Sequence, residues 1–219
     1  HSLTVAYAGD TNFGSTTSSA STHTVNQAST STSVASSPNP TVYGHSTTIT
    51  ATVSVSSPGA GTATGSVTFY DGTTSLGTAT LSGGSASIST AALSVGSHSL
   101  TAVYGGSSDF TGSTSSASTH TVNQATATAS VSSSPNPSKV GQSVTITATV
   151  AAVAPGSGTP TGSVEFFDGL TSLGTATLSG GSASISTSSL TLGSHSLTVA
   201  YAGDTNFGST TSSASTHTV

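Results

Sequence analysis

The stretch "GSVTFYDGTTSLGTATLSGGSASIST", Gly65 to Thr90, decides how the chain folds. Its apolar residues alternate with polar ones. Val67 and Phe69 fall on one side of Ser66–Tyr70, Leu76 opens Ser75–Leu81 with Ala79 and Leu81 in phase, and Ala86 and Ile88 share a side of Ser85–Thr90. A period of two puts successive side chains on opposite faces of a β-strand. Asp71-Gly72 and Gly83-Gly84 stand between these runs, and such pairs suit tight hairpins because they tolerate positive φ. The stretch therefore predicts three short strands joined by two turns.

Working outward, the same signature recurs. Ser46–Val55 places Ile49, Ala51, Val53 and Val55 on one face, His98–Tyr104 carries Leu100, Ala102 and Tyr104, Ser118–Val122 ends on Val122, and Thr32–Ala35 carries Val34. No run has a capped, helical apolar stripe. About seven short strands in roughly 100 residues predict an immunoglobulin-like, all-β antiparallel sandwich, with Ile49, Val53, Val67, Phe69, Ile88, Leu100 and Tyr104 in its core.

The chain repeats. "HSLT" begins at His1, His98 and His195, a spacing of 97 residues, and the landmarks shift together: Pro38-Asn39-Pro40 to Pro135-Asn136-Pro137, Asp71-Gly72 to Asp168-Gly169. Residues 1–25 match 98–122 at 16 positions but match 195–219 at all 25, so two domain types alternate with a longer period of 194. Self-similarity at a fixed period is the mark of a tandem array. The expected organisation is residues 1–28 as the last two strands of a preceding repeat, cut by the window, then tandem domains at 29–125 and 126–219.

Composition removes several classes of function. One Lys+Arg stands against six Asp+Glu, and only 3% of residues are charged. Nucleic acid binding needs clustered basic residues, and Lys139 is alone. No apolar run reaches the length of a membrane span. Cysteine is absent, which removes disulfides and thiol chemistry. Ser and Thr supply roughly two-fifths of the chain, but the low net charge and the alternating Val, Ile and Thr argue for folded strands, not disorder.

The markers Asn39-Pro40, Gly65-Ser66-Val67-Thr68-Phe69-Tyr70-Asp71-Gly72, Leu76-Gly77, Gly96-Ser97-His98, Tyr104 and Phe110, in that order and spacing, resemble the group 3 bacterial Ig-like repeats. The resemblance implies a seven-stranded sandwich strung in tandem along large secreted or surface proteins, with no catalytic activity and no cofactor. Departures are mild: Val140 replaces Tyr43, and Glu165-Phe166-Phe167 replaces Thr68-Phe69-Tyr70.

The pairs His1/His23, His98/His120 and His195/His217 lie opposite each other if the last two strands form a hairpin, and could hold a metal. The alternative is a pair of exposed polar residues, favoured by the lack of a carboxylate nearby in sequence. Asp10, Asp109 and Asp204 fall in the last hairpin loop, while Asp71 and Asp168 read as turn residues at the opposite end. They cannot pair for acid catalysis within one domain, and an interdomain calcium site would start from one carboxylate per loop where six to eight oxygens are wanted. Serine abundance makes no triad, since no G-x-S-x-G leads into a helix. Lys139 with Glu165 as acid could form a Lys–Asn crosslink in one repeat, the other having Val42 and Thr68 there. Tyr70 and Phe167, and less strongly Tyr43, could stack on sugars or fold over the core edge. Asn39 and Asn136 precede proline and make no glycosylation sequon. The expected catalytic, cofactor and metal residues are therefore none.

The expected function is a non-catalytic stalk, adhesin or filament segment outside a bacterial cell, whose partners are neighbouring repeats and, through lateral edges, other copies. The alternatives are a glycan- or surface-binding module and an accessory region of a secreted hydrolase.

Overall fold

The computed structural model describes residues 1–219. It contains strands and turns and no helix. In the first repeat β5 (Thr30–Ser37), β7 (Thr47–Val55) and β10 (Ser85–Thr90) form one sheet, in the order β10-β7-β5. The second sheet contains β6 (Thr41–Val42), β13 (Ser118–Asn123), β11 (Gly96–Tyr104), β8 (Ser66–Asp71) and β9 (Thr74–Thr80), with β12 (Ser113–Thr114) beside β11. The second repeat copies this plan: β14 (Ala127–Ser134), β15 (Val144–Ala152) and β18 (Ser182–Thr187) face β16 (Ser163–Asp168), β17 (Thr171–Thr177), β19 (Ser194–Tyr201), β20 (Thr210–Thr211) and β21 (Ser215–Thr218). All strand pairings are antiparallel except β6 on β13, where Val122 lies beside Thr41, and the isolated bridges Ala28–Phe110 and Ala125–Phe207 are also parallel.

The alternation read from Gly65–Thr90 becomes the core. Ile49, Ala51, Val67, Phe69, Leu100 and Ala102 are wholly buried between the two sheets, with Val53 and Tyr104 nearly so. Ile88 is only half-buried, since its strand lies at the edge of its sheet. The second core, built on Ile146, Ala148, Phe166, Leu197 and Val199, is separate. Both cores lean on alanine and valine, which let the sheets approach closely but yield less apolar burial per residue than leucine.

The turns are as expected in place but not in detail. Gly83 and Gly84 both take positive φ, 59° and 80°, in the tight loop closed by the Ser82–Ser85 bridge. At the other turn Asp71 is the last strand residue, paired with Thr74, and only Gly72 takes positive φ. That frees the Asp71 carboxylate for another task.

Pro38-Asn39-Pro40 carries the chain from one sheet to the other. The Asn39 side chain clamps the crossing: its Nδ2 donates to Thr119 O (2.8 Å) and its Oδ1 accepts from Thr121 N (3.1 Å). Asn136 does the same at Thr216 and Thr218. This covers part of a strand edge that would otherwise offer unpaired backbone groups.

Residues 1–25 pair among themselves. β1 (Ser2–Leu3) lies against β4 (Ser21–Thr22), and β2 (Ala6–Tyr7) against β3 (Thr16–Thr17). This register matches that of 195–219, where Leu197 pairs with Ser215 and Tyr201 with Thr210. Leu3, Val5, Tyr7 and Phe13 are exposed, whereas the same residues in the last copy are buried core.

Candidate functional site

Two places gather polar chemistry: a histidine cluster at the end of each repeat where β11 or β19 begins, and the seam, where that end of the first repeat meets the opposite end of the second.

His98 and His120 are direct cross-strand partners, as the hairpin spacing implies. They are not the exposed polar pair of the alternative reading: His120 is wholly buried and His98 nearly so. Nor do they form an open metal site. His98 Nε2 faces Ser94 O (2.8 Å) and Nδ1 faces Asp71 Oδ2 (2.7 Å), so both ring nitrogens meet acceptors, a setting that favours the charged ring. His120 lies between two hydroxyls, Ser36 Oγ on Nδ1 and Thr41 Oγ1 on Nε2, both at 3.0 Å, a setting that suits a neutral ring. The second repeat repeats the cluster, with Asp168 and Thr191 O on His195 and with Ser133 and Ser138 on His217. Asp71 and Asp168 are thus histidine partners as well as turn residues. Each carboxylate lies 27 positions from its histidine along the chain. The sheet supplies it from the neighbouring strand.

The two rings of each cluster titrate in opposite directions. Burial works against the charge on His98, but the Ser94 carbonyl and the Asp71 carboxylate outweigh it and raise its pKa above 6.5. Thr191 O and Asp168 raise His195 likewise against its burial. Burial, with the neighbouring imidazolium, lowers His120 and His217 below 6.5. A raised histidine stabilises the fold fully below the unfolded pKa and loses that contribution as pH rises through its folded value. A lowered one contributes above the unfolded pKa and loses it as pH falls. Stability should therefore peak near the unfolded value of 6.5 and decline on both sides. Melting temperatures from about pH 5 to 9 check this: the His120→Asn/His217→Asn variant should lose the acid-side decline, and a flat wild-type profile would contradict the assignment.

At the seam, the loop between the last two strands is set by Asp204 rather than paired with another acid. Its Oδ1 accepts from Asn206 N (2.7 Å) and Phe207 N (2.8 Å), and its Oδ2 from Thr161 N (2.8 Å) and Thr161 Oγ1 (2.6 Å). Burial opposes the charge, yet these four donors hold the carboxyl at about 2. Tyr201, close by, is pushed up to about 12 by burial and by the Asp204 charge. Its first-repeat counterpart Tyr104 donates to Thr64 O (2.7 Å), whereas the Tyr201 hydroxyl is buried without a hydrogen-bond partner.

The linker docks on this loop. Gln124 Nε2 donates to Asp204 O (2.7 Å), Ala125 N donates to Asn206 O (2.9 Å) and Gly208 N donates to Ala125 O (2.9 Å). From the first repeat, Tyr43 crosses the seam and meets Phe207 edge to face, with ring centres 5.7 Å apart and planes at 80°. Ser157 closes the contact, its N donating to Tyr43 O (3.3 Å) and its Oγ to Gly44 O (2.8 Å). Tyr43 is therefore an interdomain residue here and not an exposed stacking platform. Gly44 takes φ 76°, and a Cβ there would run into the Ser157 backbone, so glycine is required for the close approach.

The remaining candidates are dispersed. Tyr70 and Phe167 are half-buried at the strand ends. Glu165 accepts from Ser172 Oγ (2.7 Å), while Lys139 sits in a turn closed by its own N–H donating to Gln142 Oε1 (2.9 Å), and no contact joins the two. Asp109 lends its carbonyl, not its carboxylate, to Ala28 N (2.8 Å). Asp10 caps its own loop through Asn12 N and Phe13 N and accepts from the Tyr7 hydroxyl. His1 and His23 lie in the exposed hairpin. No group of three metal-ligating side chains occurs, and no helix is long and apolar enough to cross a membrane. Sequence reading missed Ser36, Thr41, Ser133, Ser138 and the buried Ser115 and Ser212, because in a chain so rich in Ser and Thr no single hydroxyl stands out.

The model of the bacterial Ig-like domain (group 3) family matches residues 34–123 and again 131–219. No curated protein matches the chain. Among solved structures, the fibronectin(III)-like modules of Clostridium thermocellum CbhA are 22% identical over 84% of this chain and 90% of theirs, with a TM-score of 0.32. The Yersinia pseudotuberculosis adhesin InvE is 17% identical over 83% of this chain and 58% of its own (TM-score 0.38). The Escherichia coli adhesin FdeC is 15% identical over 92% and 68% (TM-score 0.31). With both repeats matched from β-strand to β-strand, the chain belongs to the bacterial Ig-like domain (group 3) family, in two tandem copies.

Proposed function

We propose that the chain is a non-catalytic structural segment of a bacterial extracellular or surface array, a stalk or filament in which sandwiches stack end to end and space or display other parts. The observation that carries this reading is the seam: the linker Gln124–Ala125 is hydrogen-bonded onto the next domain's loop with Tyr43 against Phe207, so no free tether separates the repeats. A flexible linker would need a longer Gly/Ser tract. The residues before the first repeat behave alike, Gln27 Nε2 donating to Ser107 O (2.8 Å) and Ala28 N to Asp109 O (2.8 Å). This supports reading residues 1–28 as the end of a preceding repeat, with domains at 29–125 and 126–219. The near absence of charge suits a surface that offers trypsin one site, Lys139.

Small-angle scattering of a chain of four repeats tests the rod. Strands of about ten residues at ~3.3 Å give each domain a length of roughly 35–40 Å. A maximum dimension near four such lengths is expected. A compact particle of about two lengths means that the repeats fold back, and the stalk reading falls.

A further inference from the structure

The seam in this chain joins a first-type domain (29–125) to a second-type domain (126–219). An array alternating the two would also contain the reverse joint, a second-type domain followed by a first-type one. The residues for that joint are present in the chain, and three of their differences from the observed seam remove a contact made there, while Lys139 for Val42 and Asp109 for Asn206 bring exposed charges, a pairing that adds little.

On the preceding domain, Tyr43 is replaced at the 97-residue shift by Val140. Tyr43 and Val42 pack on the following domain's core, and valine is a shorter side chain than tyrosine with no ring to set against a facing aromatic. On the following domain, Ser157, which donates its hydroxyl to Gly44 O, is replaced by Ala60, which has no side-chain donor to offer Gly141. In the loop beneath, Asp204 with its four hydrogen bonds is replaced by Ser107, whose Oγ is buried without a partner. The loop backbone and the linker bonds are otherwise the same: Ala28 N donates to Asp109 O and Thr111 N to Ala28 O, as Ala125 N donates to Asn206 O and Gly208 N to Ala125 O. The aromatic floor is kept as well, Phe110 for Phe207. Around it, Val25, Gln27, Ala28, Ala60 and Phe110 line an open groove, the counterpart of the place that Tyr43 fills at the other seam.

We propose that this groove receives the Val140 end of a second-type domain, another copy of residues 126–219, and that the array thereby alternates a locked joint with a slack one. The locked joint is wedged by Tyr43 on Phe207, latched by Ser157 and seated on a loop held by Asp204. The slack joint keeps the backbone linker bonds but has a shorter apolar side chain, no latch and a less firmly held loop. An edge-to-face aromatic pair and a charge-assisted loop separate a joint with one orientation from one with several, because domains within a chain move relative to one another unless their interface is firm. Such a rod would bend at every second joint. The inference rests on the array reading, but the stiffness of each joint can be measured whether or not a long chain is straight.

The test uses the full chain extended after Val219 by a second copy of residues 26–219, which reproduces the Val25–Asn26 junction because 195–219 and 1–25 are identical. The chain has no native cysteine, so Ser87→Cys and Ser184→Cys, both exposed, accept spin labels cleanly in pairs that span either joint. Pulsed electron–electron distance distributions should be about twofold broader across the Val140 joint than across the Tyr43 joint. Val140→Tyr with Ala60→Ser and Ser107→Asp should narrow the broad one, and Tyr43→Val alone should broaden the narrow one. Tyr43 lies at the domain end, so that variant's two melting transitions serve as the check that both sandwiches remain folded. Equal widths in the wild-type chain, or a Tyr43→Val distribution unchanged with both domains folded, overturn the proposal. Failure of the scattering test with unequal widths would remove the straight rod and leave the two joints.

Discussion

Phe69→Ala is expected to unfold the first sandwich and leave the second standing. Phe69 is wholly buried between the sheets, and its ring has no route to solvent. Truncating a buried phenylalanine to alanine costs about 3–5 kcal/mol, since the transfer free energy is lost and a cavity remains. A domain of this size has only about 5–15 kcal/mol in hand, so its melting transition should fall by about 15–30 °C or vanish. The second core is separate, and its own Phe166 is untouched. What the second domain loses is the seam: the Tyr43 edge on Phe207, worth roughly 1 kcal/mol, with the Val42 contact and the exposed Ser157 bonds. Calorimetry should therefore show one transition displaced far and the other slightly, and Phe166→Ala should give the mirror image. A single transition falling as one unit in both variants would show that the seam couples the domains more strongly than its contacts imply.

Acid should separate the two domains next. Asp204 is held at about 2 against an ordinary value of 3.8, so its contribution is complete above the ordinary value and disappears as pH falls through the folded one. For this partly exposed carboxylate the contribution is roughly 1–2 kcal/mol. The first domain has Ser107 in that place and has nothing there to lose. Between about pH 4 and 2 the second domain's melting temperature should drop several degrees further than the first's. Asp204→Ser should erase the difference by lowering the second domain at neutral pH. Parallel acid curves for both domains in the wild-type chain would contradict the assignment of the four donors to a charged carboxylate.

The architecture was legible in the sequence because it rests on local rules. Alternation at Ser66–Tyr70 and Ser85–Thr90 is a statement about which face a side chain takes, and the sheets honoured it. Gly83-Gly84 needed no tertiary partner to turn. The 97-residue shift announced the second copy, and the match of residues 1–25 to 195–219 announced a hairpin of the same register. Spacing alone put His98 opposite His120.

The tertiary structure decided what those residues do, because their partners come from strands distant in sequence. Asp71 reads as a turn residue until β8 is laid beside β11, which places its carboxylate on His98 and on Ser99 N. Ser36 and Thr41 are two hydroxyls among many until the Pro38–Pro40 crossing brings both to His120. Tyr43 has the look of an exposed aromatic until the next repeat is docked, and then Phe207, more than 160 residues on, gives it a place. A periodic pattern fixes which way a side chain faces within its own strand, and the sheet order and the seam between domains fix what it meets there.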